Sequence, residues 1–270
     1  MKAQAELNWA FILISGAIIL VFFTAFAFKY KSLQEEKLAI ELLNNLDNTL
    51  TRLKSTPYTT YDEINLPVEV EITCDKIKIN DQNFKTNNLL FSQAKLKNKM
   101  LIYYKQFKSP FKIANFYYIS DSSRKFNLIY DLTTQSYVIT LIDNLPKDLK
   151  EKFSYSSLQK REANIKNIEI KNLNNNKILV DNQELYLNDE LVYAAIFSDN
   201  FICMNEKIEK EINKAIEVYK NKILVIKKPG CNYGSFLTYL DDLKQDFSYT
   251  NSIEELNNNF NNINKTEKSK

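Results

Sequence analysis

Hydrophobic positions fall into three regimes along this chain, and each predicts a different kind of element. The first is a run without a charge, Leu7 to Phe28 (LNWAFILISGAIILVFFTAFAF). At roughly 1.5 Å per residue it makes a helix of about 33 Å, enough to cross the hydrocarbon core of a bilayer. A secretory signal peptide has a shorter apolar region followed by a small-residue cleavage site. Here bulky Phe26 and Phe28 lead straight into Lys29, Tyr30 and Lys31, so the sequence predicts a retained span over 7–28, preceded by a short leader, 1–6.

The second regime, 29–56, spaces Ala39, Leu43, Leu46, Leu50 and Leu53 by threes and fours, with Glu35, Glu36, Lys37, Asp47 and Arg52 on the wetter faces. This predicts an amphipathic stalk helix that continues the span. Its seam packs either on its own domain or on another helix, and Pro57 ends it.

From about Pro67 the period falls to two. Val68, Val70 and Ile72 alternate with Glu69 and Glu71, Cys74 ends the alternation, and Ile77 and Ile79 run into the turn-like Asn80-Asp81-Gln82 ahead of Phe84. Met100 to Phe107 and Phe111 to Ile119 read as further strands, and Phe126 to Tyr130 with Ser136 to Ile142 as a hairpin. Asn144 and Pro146 predict the cap and early proline of a short helix from Lys147 to Phe153. The Ser/Lys/Arg-rich stretch 154–162 reads as a linker between a β-rich subdomain, 57–153, and an α+β subdomain, 163–260.

The second subdomain is expected to hold strands near Ile165 to Ile170, Lys177 to Val180, Glu184 to Leu187, Leu191 to Phe197 and Ile223 to Ile226. A helix is expected from Asn205 to Lys220, with Ile208, Ile212, Ile216 and Tyr219 on one face, and two short helices from Phe236 to Phe247 and Ile253 to Phe260. A flexible polar tail, 261–270, follows. The segments Lys76 to Gln82 and Lys177 to Gln183 echo each other as a strand followed by an Asx-rich turn, from duplication or from shared turn chemistry. The fold class is therefore α+β: a transmembrane helix, a stalk, and a β-rich body with C-terminal helices.

Composition removes function classes more than it supplies them. Hydrophobic residues at 44% and aromatics at 13% argue for a packed body, and a net charge of +3 with signs interspersed leaves no nucleic-acid footprint. The chain has no histidine, which removes the usual general base, the Ser-His and Cys-His pairs and the commonest metal ligand. Three scattered glycines cannot build a dinucleotide or Walker loop. Enzymes working with carboxylates or a Ser/Lys pair need no histidine, but no paired-carboxylate motif is present.

Asp241, Asp242 and Asp246 lack the spacing of a calcium loop and read as a solvated helix face. Asp121-Ser122-Ser123-Arg124 has the composition of a phosphate-binding turn and equally of a plain turn. Asn264-Lys265-Thr266 is a glycosylation-type sequon in the tail. No catalytic, cofactor or metal site emerges, and the expectation is a non-enzymatic protein without a cofactor.

Three cysteines bear on the compartment. Cys74 ends an alternating apolar face and reads as a small core hydrophobe. Cys203 and Cys231 flank a helix and a strand and form the candidate disulfide of an oxidising compartment, two unpaired buried thiols being the alternative. Lysines 29, 31 and 37 behind the span outnumber Lys2 before it, which favours a body in the cytoplasm. The disulfide candidate points the other way.

Lys2-Ala3-Gln4-Ala5 ahead of the apolar helix resembles the processing site of archaeal type IV pilin-like proteins, which carry class III signal peptides. The resemblance implies cleavage between Ala3 and Gln4, retention of the apolar helix as an anchor or filament core, and a body outside the membrane. It covers about the first thirty residues. Pilins often carry a glutamate at the fifth mature position, whereas Glu6 here would be the third. The expected partners are membrane lipid together with further copies of the chain or another membrane or surface protein, and no nucleic acid. The alternative is a cytoplasm-facing accessory module whose Lys29, Lys31 and Lys37 lie against anionic lipid.

Overall fold

The computed structural model of this chain describes residues 2–56, 60–108, 112–157, 165–173, 177–226 and 234–245. The span and the stalk are one helix, α1 (Lys2–Ser55), of 54 residues and about 80 Å at 1.5 Å per residue. Its body is built on two sheets. The first contains β1 (Thr60–Ile72), β2 (Lys76–Ile79), β3 (Gln82–Lys85), β4 (Leu89–Ser92), β5 (Lys95–Lys108) and β6 (Lys112–Asp121), in the order β3-β2-β1-β5-β6-β4. All of its pairings are antiparallel except β4 with β6.

The two faces of the first sheet explain its apolar strands. On one face Ile64, Val70, Met100, Ile102, Tyr104, Tyr117 and Ile119 pack against Ala39, Leu42, Leu46, Leu50 and Leu53 of α1, with Leu43 half-buried beside them. Tyr117 donates its hydroxyl to the Leu50 carbonyl at 3.1 Å, and burial, with Tyr104 and Asp47 adding to it, pushes that phenol up to about 12. The seam is therefore closed by the chain's own sheet. On the other face Leu101, Tyr103, Phe116 and Tyr118 enter the main core. Strands covered on both sides lose their alternation, and the central residues of β5 and β6 read accordingly as continuous apolar runs.

Pro67 lies inside β1 and not at its start. The strand opens at Thr60, and its pairing with β5 shifts between Leu66 and Val70, where Leu66 faces Asn98 and Val70 faces Leu96. Such a bulge removes the ladder hydrogen bond that proline cannot make. Asn98 opposite it has φ 62°, the left-handed conformation that asparagine tolerates.

The second sheet contains β7 (Phe126–Tyr130), β8 (Phe153–Ser157), β9 (Lys166–Leu173), β10 (Lys177–Val180) and β11 (Gln183–Tyr186), in the order β11-β10-β9-β7-β8. Strand β7 lies between β9 and the edge strand β8 and runs parallel to both. The expected hairpin after β7 is instead a crossover through α2 (Gln135–Asp143) and α3 (Lys147–Lys150). Val138, Leu141 and Ile142 are its buried positions, at helical spacing. Asp131 starts this helical segment by accepting from the Thr133 and Thr134 amides at 2.9 and 2.8 Å. Asn144 closes α2 and Pro146 stands at the N-cap of α3, so the expected cap is one element out of place, and Phe153 already belongs to β8.

The expected linker is corrected in the same way. Residues 154–157 lie in β8, and the second sheet draws strands from both sides of the supposed boundary, so the described residues on either side of it share one core. Residues 158–162 lie outside the described residues.

Two further strand expectations are helices. Leu191 to Phe197 belongs to α4 (Asp189–Phe197), which is buried from Leu191 to Phe197 and touches β4 and β6 of one sheet and β10 and β11 of the other. Apolar on every side, it has the residue pattern of a buried strand, and only Asn188, whose side chain accepts from the Leu191 amide, marks it as a helix. Ile223 to Ile226 is the last turn of α5 (Phe201–Ile226), which runs on past Lys220 without a break. α6 (Gly234–Gln245) packs on α5, and the expected helix from Ile253 to Phe260 lies outside the described residues.

The echoing segments occupy equivalent places. Ile79 pairs with Gln82 and Val180 with Gln183, so each turn has two residues, and each hairpin forms the edge of its sheet. Asn80, Asp181 and Asn182 all adopt positive φ, which accounts for Asn and Asp at both turns.

Candidate functional site

The largest surface left without a partner inside the body is the first half of α1. An 18-residue window of this helix has a mean hydropathy of 1.9, and none of it is buried. Trp9, Phe11, Leu20, Phe22, Phe23 and Phe28 are each more than half exposed. Exposed apolar area on this scale is not kept in water. A Cβ added at Gly16 would meet nothing within 4 Å beyond the helix's own backbone, so α1 is open at that position. Ala3 and Gln4 lie in the first turn of α1.

A second constellation sits where the two sheets meet. The Asp199 carboxylate, between α4 and α5, accepts from Arg124 Nη2 and Lys166 Nζ at 3.0 Å each and from the Ala94 amide at 3.1 Å. Arg124 also donates to Gln93 Oε1 at 2.6 Å. One carboxylate thus ties the β4–β5 turn, the β6–β7 turn and β9 together. Burial tends to raise its pKa, but the Arg124 hydrogen bond and the two cations outweigh this and hold it below the ordinary aspartate value. Burial and the neighbouring Arg124 lower the Lys166 pKa, with Asp199 opposing them. Every one of these groups is satisfied by another, which is the geometry of a clasp.

Beside the clasp opens a cleft of about 640 Å³, walled by Thr73, Cys74, Asp75, Lys76, Gln183 and Cys203. Here the cysteine expectations are corrected. β1 ends at Ile72, so Cys74 is in the turn that follows, half-exposed, and it is disulfide-bonded to Cys203 in the first turn of α5, with their Cα atoms 6.2 Å apart. The expected Cys203 to Cys231 bridge is not formed, since Cys203 has this other partner; Cys231 itself lies outside the described residues. Lys207, one turn further along α5, bonds to the Cys74 carbonyl, to Thr86 O at 3.1 Å and to Asp75 at 3.0 Å. The disulfide and this lysine fasten the edge of the first sheet to α5.

The other acidic groups have local duties. Asp121 accepts from the Ser123 amide and hydroxyl at 2.8 and 2.6 Å and from the Lys97 amide at 2.7 Å, so its turn is closed by its own carboxylate and has no anion-binding character. Burial opposes the ionised form of Asp121, and these bonds overcome it to leave the pKa lowered. Asp241 is ion-paired with Lys220 of α5. Asp246 and the Asn264 sequon lie outside the described residues.

The pairing of Cys74 has no local signal in the sequence, because its partner is 129 residues away. The Asp199 clasp was likewise unmarked: its residues come from four separate segments. No known protein family, no curated protein and no solved structure matches this chain.

Proposed function

We propose that this chain is a single-pass, membrane-anchored, non-enzymatic surface protein with a structural or interaction role. The apolar part of α1 lies in the bilayer and the body lies outside it. The carrying observation is the unburied apolar length of α1, which continues directly into a seam docked on the first sheet. A lipid-embedded helix thereby becomes a structural member of the body. The Cys74–Cys203 disulfide supports an oxidising compartment.

The pilin-like reading of the N-terminus belongs to the same proposal: cleavage between Ala3 and Gln4 exposes a helix that anchors and also associates. With Leu46, Leu50 and Leu53 facing the sheet, association falls to the membrane segment and the outer surface of the body. A cytoplasm-facing module is the second reading, favoured by the three lysines at 29, 31 and 37; two of these pair with Glu35 and Glu41 at 3.7 Å along the helix.

Labelling of intact cells with a membrane-impermeant maleimide, before and after reduction, tests the proposal. Cys74 and Cys203 are expected to react only after reduction, and from outside. Labelling without a reductant and only after lysis would establish the cytoplasmic reading. N-terminal sequencing of the membrane-extracted protein, expected to begin at Gln4, tests the processing step.

A further inference from the structure

Three lysines come together at the pole of the body where α1 ends. Lys108 and Lys112 face each other across the β5–β6 hairpin, and Lys54 stands in the last turn of α1 beside them, close enough for its charge to act on Lys112. Like charges directly opposite on paired strands repel. Among the described residues none of the three ammonium groups has an ion-pair or hydrogen-bond partner, although 13 ion pairs serve most of the body's other lysines. All three side chains are exposed. A folded protein that gathers repelling cations at its surface gains from an anion that neutralises them.

From this cluster we infer that the pole formed by Lys54, Lys108 and Lys112 binds an acidic polysaccharide outside the cell. The inference rests on the extracytoplasmic placement of the body. Lys54 lies 26 residues beyond Phe28 on one unbroken helix, about 39 Å at 1.5 Å per residue. That is roughly five Debye lengths at physiological ionic strength, so the chain's own bilayer is too far away to be the anion.

Exposed ammonium groups on separate elements suit a polymer that engages them together. A folded acidic protein is less suited, because protein–protein interfaces deplete lysine relative to the rest of the surface.

The test uses the purified full chain in detergent micelles, with polygalacturonate and dextran sulfate as probes and neutral dextran as control. Both acidic polymers are expected to bind, and neutral dextran not to. Raising salt from about 50 to 200 mM is expected to weaken binding on the order of tenfold, the counterion-release expectation for a few contacts. The variant K54Q/K108Q/K112Q is expected to lose binding at least tenfold while melting no lower than wild type, and the triple Lys→Arg variant to retain it.

Equal binding by wild type and the glutamine variant would overturn the inference. So would tighter binding to duplex DNA, or binding confined to anionic vesicles. Because the measurement is made in micelles, it does not depend on orientation in the cell; failure of the maleimide experiment alone would remove the extracytoplasmic reading and leave the lysine result standing.

Discussion

Replacing Cys74 with serine removes the only disulfide among the described residues and isolates its contribution. The bond joins residues separated by 129 positions, so it closes a loop of most of the body in the unfolded chain. In the chain-entropy treatment a loop of that size stabilises the folded state by about 5 kcal/mol. For a domain of 150–250 residues roughly 2–4 °C of melting temperature accompanies each kcal/mol, so C74S is expected to melt about 10–20 °C below the oxidised wild type. The native corner should survive, because Lys207 still bonds to Asp75 and Thr86. The effect therefore resides in the unfolded ensemble, and the denaturant slope should rise as the uncrosslinked chain exposes more surface. Circular dichroism melts of the full chain in detergent, oxidised and reduced, provide the assay. Reduced wild type and C74S should coincide, and C231S should match the oxidised wild type. A C74S protein melting with the wild type, or a peptide map joining Cys203 to Cys231, would refute the reasoning.

Leu46, 2% exposed between α1 and the first sheet, is expected to cost about 2–5 kcal/mol when replaced by alanine, read by urea unfolding; a change near zero would mean that α1 does not dock as described. Asp199→Asn should cost about 1–2 kcal/mol after allowance for its partial exposure. Since the folded pKa of Asp199 lies below its unfolded value, its contribution is complete above about pH 4 and is lost as pH falls through the folded value. The stability difference between wild type and Asp199→Asn should accordingly shrink in acid, and a difference growing below pH 4 would contradict the clasp. Gly16→Leu should leave the body's melting unchanged, as nothing beyond the helix's own backbone comes within 4 Å of that position; a change of oligomeric state by sedimentation in detergent would locate helix association at Gly16.

Legibility in the sequence followed how many faces each element buries. α1 was readable because its period changes from none to three-and-four just where its surroundings change from an unburied apolar surface to the first sheet. The seam still lacked Leu42, which is buried alongside Leu46, because neither of two adjacent leucines declares which faces the sheet. β2, β10 and their turns were readable from half-buried alternation ended by Asn and Asp. α4 and α2 were not. The first is apolar on every side, and the β-branched Val138, Ile139 and Thr140 favour a strand until the crossover between parallel strands demands a helix. The disulfide and the Asp199 clasp depend on contacts between distant segments, and no local pattern encodes those. The lysine pole needed the pairing of Lys108 with Lys112, which only the hairpin's register supplies.

The docked half of α1 also determines how this protein carries load. A pull on the membrane segment travels along a helix with no proline or glycine after Gly16, so little of it is lost in bending. It reaches the body as shear, sliding Ala39, Leu42, Leu46, Leu50 and Leu53 along the first sheet together. Contacts loaded in parallel fail together, whereas contacts peeled one at a time fail in sequence. The docked helix is therefore also a tension member, suited to a body whose core stays closed while its N-terminal helix is pulled.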